Sequence, residues 1–192
     1  GLFERRPGTP GTGIRERRVA PEGMVTSDMA AEAAKRALEA AELSPRDLDL
    51  IVIATVTPDM PMPATAVFVQ QKLGATCPAF DVSAACAGFI YGLTIADQFV
   101  RGGAAKHVLV VGVELLSRVV NWADRTTCVL FGDGAGAAIV GAADGSARGI
   151  LGTRLYSDGS LAESLRTPAG GSREPMDEAR LHARRNKVHM KG

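Results

Sequence analysis

"AFDVSAACAGFIYGL" spans Ala79–Leu93 and places a lone cysteine, Cys86, between two kinds of pattern. "PAFDV" reads as a short strand. "AGFIYGLTIADQFVRGG" (87–103) reads as a long apolar-faced helix ended by a glycine pair. The neighbours of Cys86 are all small: Ala84, Ala85, Ala87 and Gly88. A strand, tight turn and helix in succession put this thiol near a helix N-terminus, where unpaired N–H groups and the macrodipole favour thiolate. Small neighbours would let a substrate carbonyl approach the sulfur closely. Against that stands the ordinary behaviour of a free cysteine, which is to pack as a small buried hydrophobe. Taken alone, these residues leave Cys86 open between packing and catalysis.

The same alternation continues on both sides. "TSDMAAEAAKRALEAAEL" (26–43) predicts an amphipathic helix with Thr26 or Ser27 as N-cap. "SPRDLD" predicts a short helical turn at Pro45. "LDLIVIATV" (48–56) is a continuous β-branched run, the mark of a strand buried on both faces. "PATAVFVQQKLG" (63–74) predicts a helix ended by Gly74. "HVLVVGVE" (107–114) predicts another buried strand, and "TTCVLFGDGAGAAIVGAA" and "RGILGTRLY" two more, joined through "DGSARG". Residues 1–24 read as loop with one short strand. Helices alternating with apolar strands imply an α/β fold with a layered, mostly parallel five-stranded sheet and an antiparallel edge. From Ser157 onward the chain reads as loop or linker.

Bulk properties exclude several function classes. The 192 residues are 46% hydrophobic and 22% charged, with formal net charge +1, so no global field argues for nucleic acid or an anionic membrane surface. Aromatics at 5% give little material for base stacking. No apolar run approaches the ~20 residues of a membrane span. The first 18 residues carry five arginines and no apolar signal-peptide core. Three cysteines (Cys77, Cys86, Cys128) suit a reduced, cytoplasmic protein better than a disulfide scaffold. No histidine has zinc-ligand spacing with them, so no metal is expected.

Other motifs carry weaker signals. "FGDGAGAA" (131–138) has phosphate-loop spacing, but no GK[ST] follows and its flanks read as strand; tight backbone packing is the better reading. "NWADR" (121–125) offers Trp122 and Arg125 on a loop, a pair able to flank a flat ring but more often an anchor and a solvated charge. "RERR" (15–18) reads as a solvated charge run. Arg180, Arg184 and Arg185 interleave with acids and carry no functional expectation. Cys128 lies in an apolar strand run and Cys77 lacks the helix-start setting. His107, His182 and His189 include no obvious base for Cys86, although a nucleophilic cysteine ordinarily needs a partner.

Several stretches together resemble β-ketoacyl-acyl carrier protein synthase III, a thiolase-fold condensing enzyme. They are "TGIRERR" (12–18), "LDLIVIATVTPD" (48–59), "CPAFDVSAACAGFIYGL" (77–93), "VLVVGVELLSR" (108–118), "DRTTCVLFGDGAGA" (124–137) and "YSDGS" (156–160), in the family's order from residue 12 to about 165. The resemblance implies an acyltransferase of fatty acid biosynthesis. Cys86 takes an acyl group from a coenzyme A thioester, and a carbanion from malonyl-acyl carrier protein then attacks the acyl-Cys86 thioester. The Cys86 N–H contributes to an oxyanion hole. Arg125 matches the arginine that stacks on the coenzyme A adenine. Thr55, Leu116, Phe131 and Leu165 match positions lining the primer pocket, and Met62 one that reaches the partner subunit's pocket in a homodimer. No covalently bound cofactor is implied; coenzyme A enters as part of the substrate.

The resemblance also implies what this stretch lacks. The family fold is a duplication, and these residues match its first half: a layered α/β/α lobe over 1–165, with 166–192 leading to the second lobe. The family's catalytic His and Asn, and a glycine of the oxyanion hole, belong to that second half. The family's initial strand and helix are not matched either, and "GLFERRPGTPG" departs from the usual run before "TGIRER", including its tryptophan; Trp122 does not replace it. Both ends read as cut. The chain alone is therefore expected to be acylatable at best and to self-associate. The alternatives are a related thiolase-fold enzyme condensing acyl-CoA units in secondary metabolism, and a non-catalytic thiolase-fold fragment that binds a partner.

Overall fold

Leu50–Ala54 is five apolar residues in a row, and all five are buried in the computed structural model, which describes residues 4–7, 13–143, 145 and 149–191. In chain order the elements are β1 (Glu4–Pro7), β2 (Glu16–Val19), α1 (Thr26–Ala40), β3 (Leu50–Ala54), α2 (Thr65–Leu73), β4 (Ala79–Val82), α3 (Gly88–Arg101), β5 (His107–Leu115), β6 (Asp133–Gly141), β7 (Leu165–Arg166), α4 (Glu178–His182) and β8 (His189–Met190). Two compact units contain them. One comprises Gly23–Glu114 and Gly134–Leu155. The other comprises the described residues of Gly1–Glu22, Leu115–Asp133 and Tyr156–Gly192.

The first unit carries a four-stranded sheet in the order β4-β3-β5-β6. β3 runs parallel to both neighbours, with Val52 opposite Phe80 on β4 and opposite Val110 on β5. Gly141, the last residue of β6, lies against Lys106 and His107 at the start of β5, so β6 is the antiparallel edge. Alternation along the strands sends Leu50, Val52, Val108 and Val110 to one face, where they form a core with Phe89, Leu93, Ala96 and Val100 of α3. Ile51, Ile53, Leu109 and Val111, also fully buried, point to the other face, and α2 packs on β3 and β4 with α1 against it. The result is a layered α/β/α arrangement with a mostly parallel sheet.

Helix boundaries follow local chemistry. Asp28 Oδ2 accepts the Val25 N–H at 3.0 Å, and the N-cap of α1 is Val25, one residue ahead of the expected Thr26 and two ahead of Ser27. Those two hydroxyls are used elsewhere: Thr26 donates to Thr57 O, and Ser27 donates to Asp59 at 2.6 Å. At the start of α2 the Asp81 carboxylate, reaching over from β4, accepts the N–H groups of Thr65 and Ala66 at 2.7 and 2.8 Å. Gly74 ends that helix in the left-handed region at φ +72°, as its position predicts.

The sheet has four strands where five were expected. Residues 149–156 of "RGILGTRLY" are irregular, with Leu151 and Tyr156 88% and 78% exposed. With those side chains uncovered, ordering this glycine-punctuated segment into a ladder would have no burial to offset its entropy cost. The expected turn "DGSARG" lies largely outside the described residues. β6 is also shorter than expected: Thr126–Leu130 form a turn instead of its first half. Asp124 Oδ1 accepts the Thr126 N–H and hydroxyl at 2.9 and 2.7 Å, and Asp124 O accepts Cys128 N–H at 3.0 Å. Local side-chain bonds of this kind compete directly with strand pairing, and they take Cys128 out of the strand in which it was expected.

The second unit holds two small antiparallel pairs, β1 with β2 and β7 with β8. Residues 1–24 thus contain two strands, not one. Arg17 on β2 is 7% exposed, which overturns the solvated reading of "RERR" at that position. Strand alternation turns it inward. Its guanidinium donates to Val129 O, and the missing side chain of Gly132 leaves room for its Cδ. Asp133 ties Ala20 N–H (2.8 Å) to the Ser117 N–H (2.8 Å) and hydroxyl (2.6 Å). Of the glycines in "FGDGAGAA", Gly132 is tightly placed against Arg18 O, whereas Gly134 and Gly136 face open space, so close packing explains only the first. In the 166–192 stretch, Arg180 and Arg185 pair with Asp177 and Glu174, and Arg184 with Asn121, in keeping with a structural role for these cations.

Candidate active site

β4 and β3 run parallel, so their carboxyl ends lie side by side, and the chain leaving β4 makes its turn there. Ser83 and Ala84 follow β4. Ala85–Ala87 then form a single 3-10 turn that leads directly into α3. Ala85 has φ +46°, a left-handed conformation that costs a residue with a Cβ about 1–2 kcal/mol. Cys86 follows it and is exposed. As the second residue of the turn, Cys86 has an N–H with no acceptor inside the turn.

The position of this turn is set by how closely α3 approaches the sheet. A Cβ on Gly88 would stand 3.0 Å from Ala54 Cβ, and one on Gly92 would stand 2.8 Å from Val110 Cγ1. Gly88, Gly92 and Ala96 recur every four residues, and all three are buried. The smallness of Gly88 therefore serves helix–sheet contact. Thr55 N–H donates to Val82 O at 3.2 Å, joining the end of β3 to the end of β4 beside the turn.

The remaining candidates divide between the two units. Thr55 and Met62 share a unit with Cys86. Thr55 is buried, and Met62 is 84% exposed on the connection between β3 and α2. Leu116, Arg125, Phe131 and Leu165 belong to the other unit. Leu116 opens a 3-10 turn after β5 and is half-buried, as is Phe131; Leu165 on β7 is exposed. Arg125 is exposed in the turn organised by Asp124, whose carboxyl is held below the usual range by its bonds to Thr126.

The other cysteines contrast with Cys86. Cys77 is buried, and burial pushes its thiol up, away from thiolate. Cys128 is half-buried in the Asp124 turn. His107, the one histidine within the Cys86 unit, sits at the amino end of β5 with Nδ1 3.1 Å from Asp47 O, at the opposite end of the parallel strands from the carboxyl ends that carry Cys86. A cavity of about 580 Å³ lies at the far end of α3 from Cys86, lined by Asp97, Arg101, Val140 and Ile150 among others. Among the described residues no group of acids, histidines and cysteines could hold a metal ion, and no helix is long and apolar enough to cross a membrane.

A half-buried acid beside the exit of β3 escaped the reading of the sequence. Glu114, near the end of β5, accepts hydrogen bonds from Thr55, Val56 and Thr57. Its only sequence signal is an acidic residue inside an otherwise apolar strand run.

Residues 80–159 match the family model described as 3-oxoacyl-[acyl-carrier-protein (ACP)] synthase III. The β-ketoacyl-[acyl-carrier-protein] synthase III of Caldanaerobacter subterraneus subsp. tengcongensis is 55% identical over 185 residues, 96% of this chain and 56% of that protein. The crystal structure of the 3-oxoacyl-[acyl-carrier-protein] synthase III of Aquifex aeolicus VF5 superposes with a TM-score of 0.81 at 49% identity, covering 94% of this chain and 54% of the other. A priming β-ketosynthase from the R1128 polyketide biosynthetic pathway superposes at 0.74 and 41% identity, over 82% of this chain and 47% of its own. The chain thus spans about half the length of the relatives it matches. Over nearly its whole length the chain is therefore similar, in sequence and in fold, to the N-terminal half of β-ketoacyl-[acyl-carrier-protein] synthase III.

Proposed function

We propose that Cys86 is the acyl-accepting nucleophile of a condensing enzyme that begins fatty acid synthesis. The observation that carries this is the exposed Cys86 thiol directly after a left-handed alanine, at the carboxyl ends of two parallel strands. Strain at a non-glycine residue beside an exposed thiol is costly for packing and useful for presenting a nucleophile. In the reaction, the Cys86 thiol gives up its proton, the thiolate attacks the carbonyl of an acyl-CoA primer, and coenzyme A leaves as thiolate and takes up a proton to become the thiol. Malonyl-acyl carrier protein then loses carbon dioxide, and its carbanion attacks the acyl-Cys86 thioester. This releases the thiolate and gives a 3-oxoacyl-acyl carrier protein. The Cys86 N–H, having no acceptor in its own turn, is placed to donate to the thioester oxygen.

Arg125 holds the coenzyme A adenine in this reading, and Thr55, Met62, Leu116, Phe131 and Leu165 line the primer pocket, Met62 from across a homodimer. Residues 1–165 act as one lobe and 166–192 as its connection to the remainder, which supplies the His and Asn that assist decarboxylation. The enzyme works in the cytoplasm without a bound cofactor. The likeness to a polyketide priming enzyme supports a second reading, in which the same acylated cysteine serves secondary metabolism.

Acetyl-CoA added to the full-length protein, followed by intact-mass and peptide mapping, tests the proposal. One acetyl group should appear on the Cys86 peptide and be lost in Cys86→Ser. No adduct, or an adduct that survives in Cys86→Ser, would sink it. Condensation of the acyl-Cys86 group with malonyl on a fatty-acid carrier protein, or only with malonyl on a polyketide carrier protein, separates the two readings.

A further inference from the structure

Glu114 holds a whole segment in place. Its Oε1 accepts the Val56 N–H at 2.9 Å, and its Oε2 accepts the Thr57 hydroxyl at 2.7 Å and the Thr55 hydroxyl at 3.4 Å. Thr57 N–H returns to Thr55 Oγ1 at 3.1 Å. Three consecutive residues leaving β3 are thus bound to one carboxylate on the adjacent strand. All of these donors are neutral, and burial pushes the Glu114 carboxyl up. A half-buried anion bonded to neutral groups is a poor source of stability at neutral pH. What it supplies is geometry.

That geometry adjoins the Cys86 turn. Ala54, the last residue of β3, packs against Gly88 two residues after Cys86, and Thr55 bonds to the end of β4 from which the turn departs. With its hydroxyl engaged by Glu114 and Thr57, Thr55 is fixed in orientation. We propose that Glu114 is a positioning residue that fixes Thr55–Thr57 as a wall beside the Cys86 turn and thereby sets which acyl primers reach the thiol. This rests on the acylation of Cys86 proposed above.

The test compares wild type, Glu114→Gln, Glu114→Ala and Thr57→Val in the full-length protein. Cys86 acylation is followed by mass spectrometry over a range of acetyl-CoA and hexanoyl-CoA concentrations, and alkylation by iodoacetamide reports thiol exposure independently of any primer pocket. Glu114→Ala should change the ratio of acylation rates for the two primers by roughly tenfold, mainly through KM, with alkylation within about twofold of wild type. Glu114→Gln keeps the shape and an acceptor for Val56 N–H, and should bring the ratio back to within about threefold. Thr57→Val, which removes the shorter hydroxyl bond, should shift the ratio in the same direction as Glu114→Ala; this arm stands even where Glu114→Ala does not fold. An unchanged ratio in Thr57→Val and the Glu114 variants overturns the positioning role, as does an equal loss for both primers and iodoacetamide. Wild-type protein that no primer acylates overturns the function itself, and the positioning role with it.

Discussion

Gly92→Ala sets two effects of known sign against each other. Replacing a mid-helix glycine by alanine stabilises an exposed helix by about 1 kcal/mol through backbone entropy. At Gly92 the new Cβ would stand 2.8 Å from Val110 Cγ1 and 3.6 Å from Val52 Cγ1. Carbon atoms pack best at about 3.5–4.0 Å, so the first contact is short by roughly 0.7 Å or more. Neither valine can yield cheaply, since both are fully buried and face each other in the ladder between β3 and β5. Overpacking of this size costs about 1–3 kcal/mol, so the net effect should be a loss of about 1 kcal/mol, or roughly 2–4 °C in Tm for a chain of this length. Urea unfolding with an unchanged slope is the assay. A double-mutant cycle identifies the cause. Val110→Ala removes the offending methyl, so the pair should be more stable than the sum of the single losses by about 1 kcal/mol, beyond the ~0.5 kcal/mol scatter of independent sites. A stabilised Gly92→Ala, or strict additivity with Val110→Ala, would refute the claim that close approach of α3 to the sheet sets this glycine.

Two further outcomes are expected. Asp81→Ala leaves the buried N–H groups of Thr65 and Ala66 without their acceptor, and should cost about 2 kcal/mol, seen as a fall of roughly 4–8 °C in Tm; an unchanged Tm would show that the carboxylate is not a cap. Glu114→Gln should alter how stability depends on pH. Because burial raises the folded-state pKa of Glu114, its favourable contribution is complete below the unfolded value and is lost as pH rises through the folded one. The Tm of Glu114→Gln relative to wild type should therefore be more favourable near ~pH 7 than near ~pH 4. A difference that is flat across that range, or larger in acid, contradicts the assigned direction.

Elements that depend on local pattern were legible. The double-sided burial of β3 follows from an unbroken β-branched run, and the end of α2 follows from Gly74. The Cys86 junction was also legible, because a change of period from two to 3.6 across a few small residues has few structural solutions. The fifth strand was not. "RGILGTRLY" has a strand's composition, but pairing needs a covered face, which composition does not report. Asp124 shows a second limit. An aspartate two residues before a Thr-Thr pair can divert an apolar run into a turn, and the apolar count in "TTCVLF" overrode that signal. Arg17 shows a third, since a charge run reads as solvated unless strand alternation is applied residue by residue.

The long-range carboxylates were the least legible feature. Asp81, Asp133 and Glu114 each bond to backbone or hydroxyl groups at least 15 residues away in sequence. A side chain whose partners are mostly backbone amides leaves no partner residue type to search for. These acids nonetheless do comparable work at different places: Asp81 seats α2 on β4, Asp133 joins the chain after β2 to the turn after β5, and Glu114 joins the exit of β3 to β5. Glycine and alanine on α3 determine how near the helix can come to the sheet. Glu114 and Asp81 determine where the connection between β3 and α2 begins and ends. The Cys86 turn lies where these constraints meet, so its strained alanine is held by the surrounding sheet and helix together with the bond from Gly88 N–H to its own carbonyl. Substitutions at Gly92 and Glu114, both outside the Cys86 turn, therefore act on two separate supports of that turn.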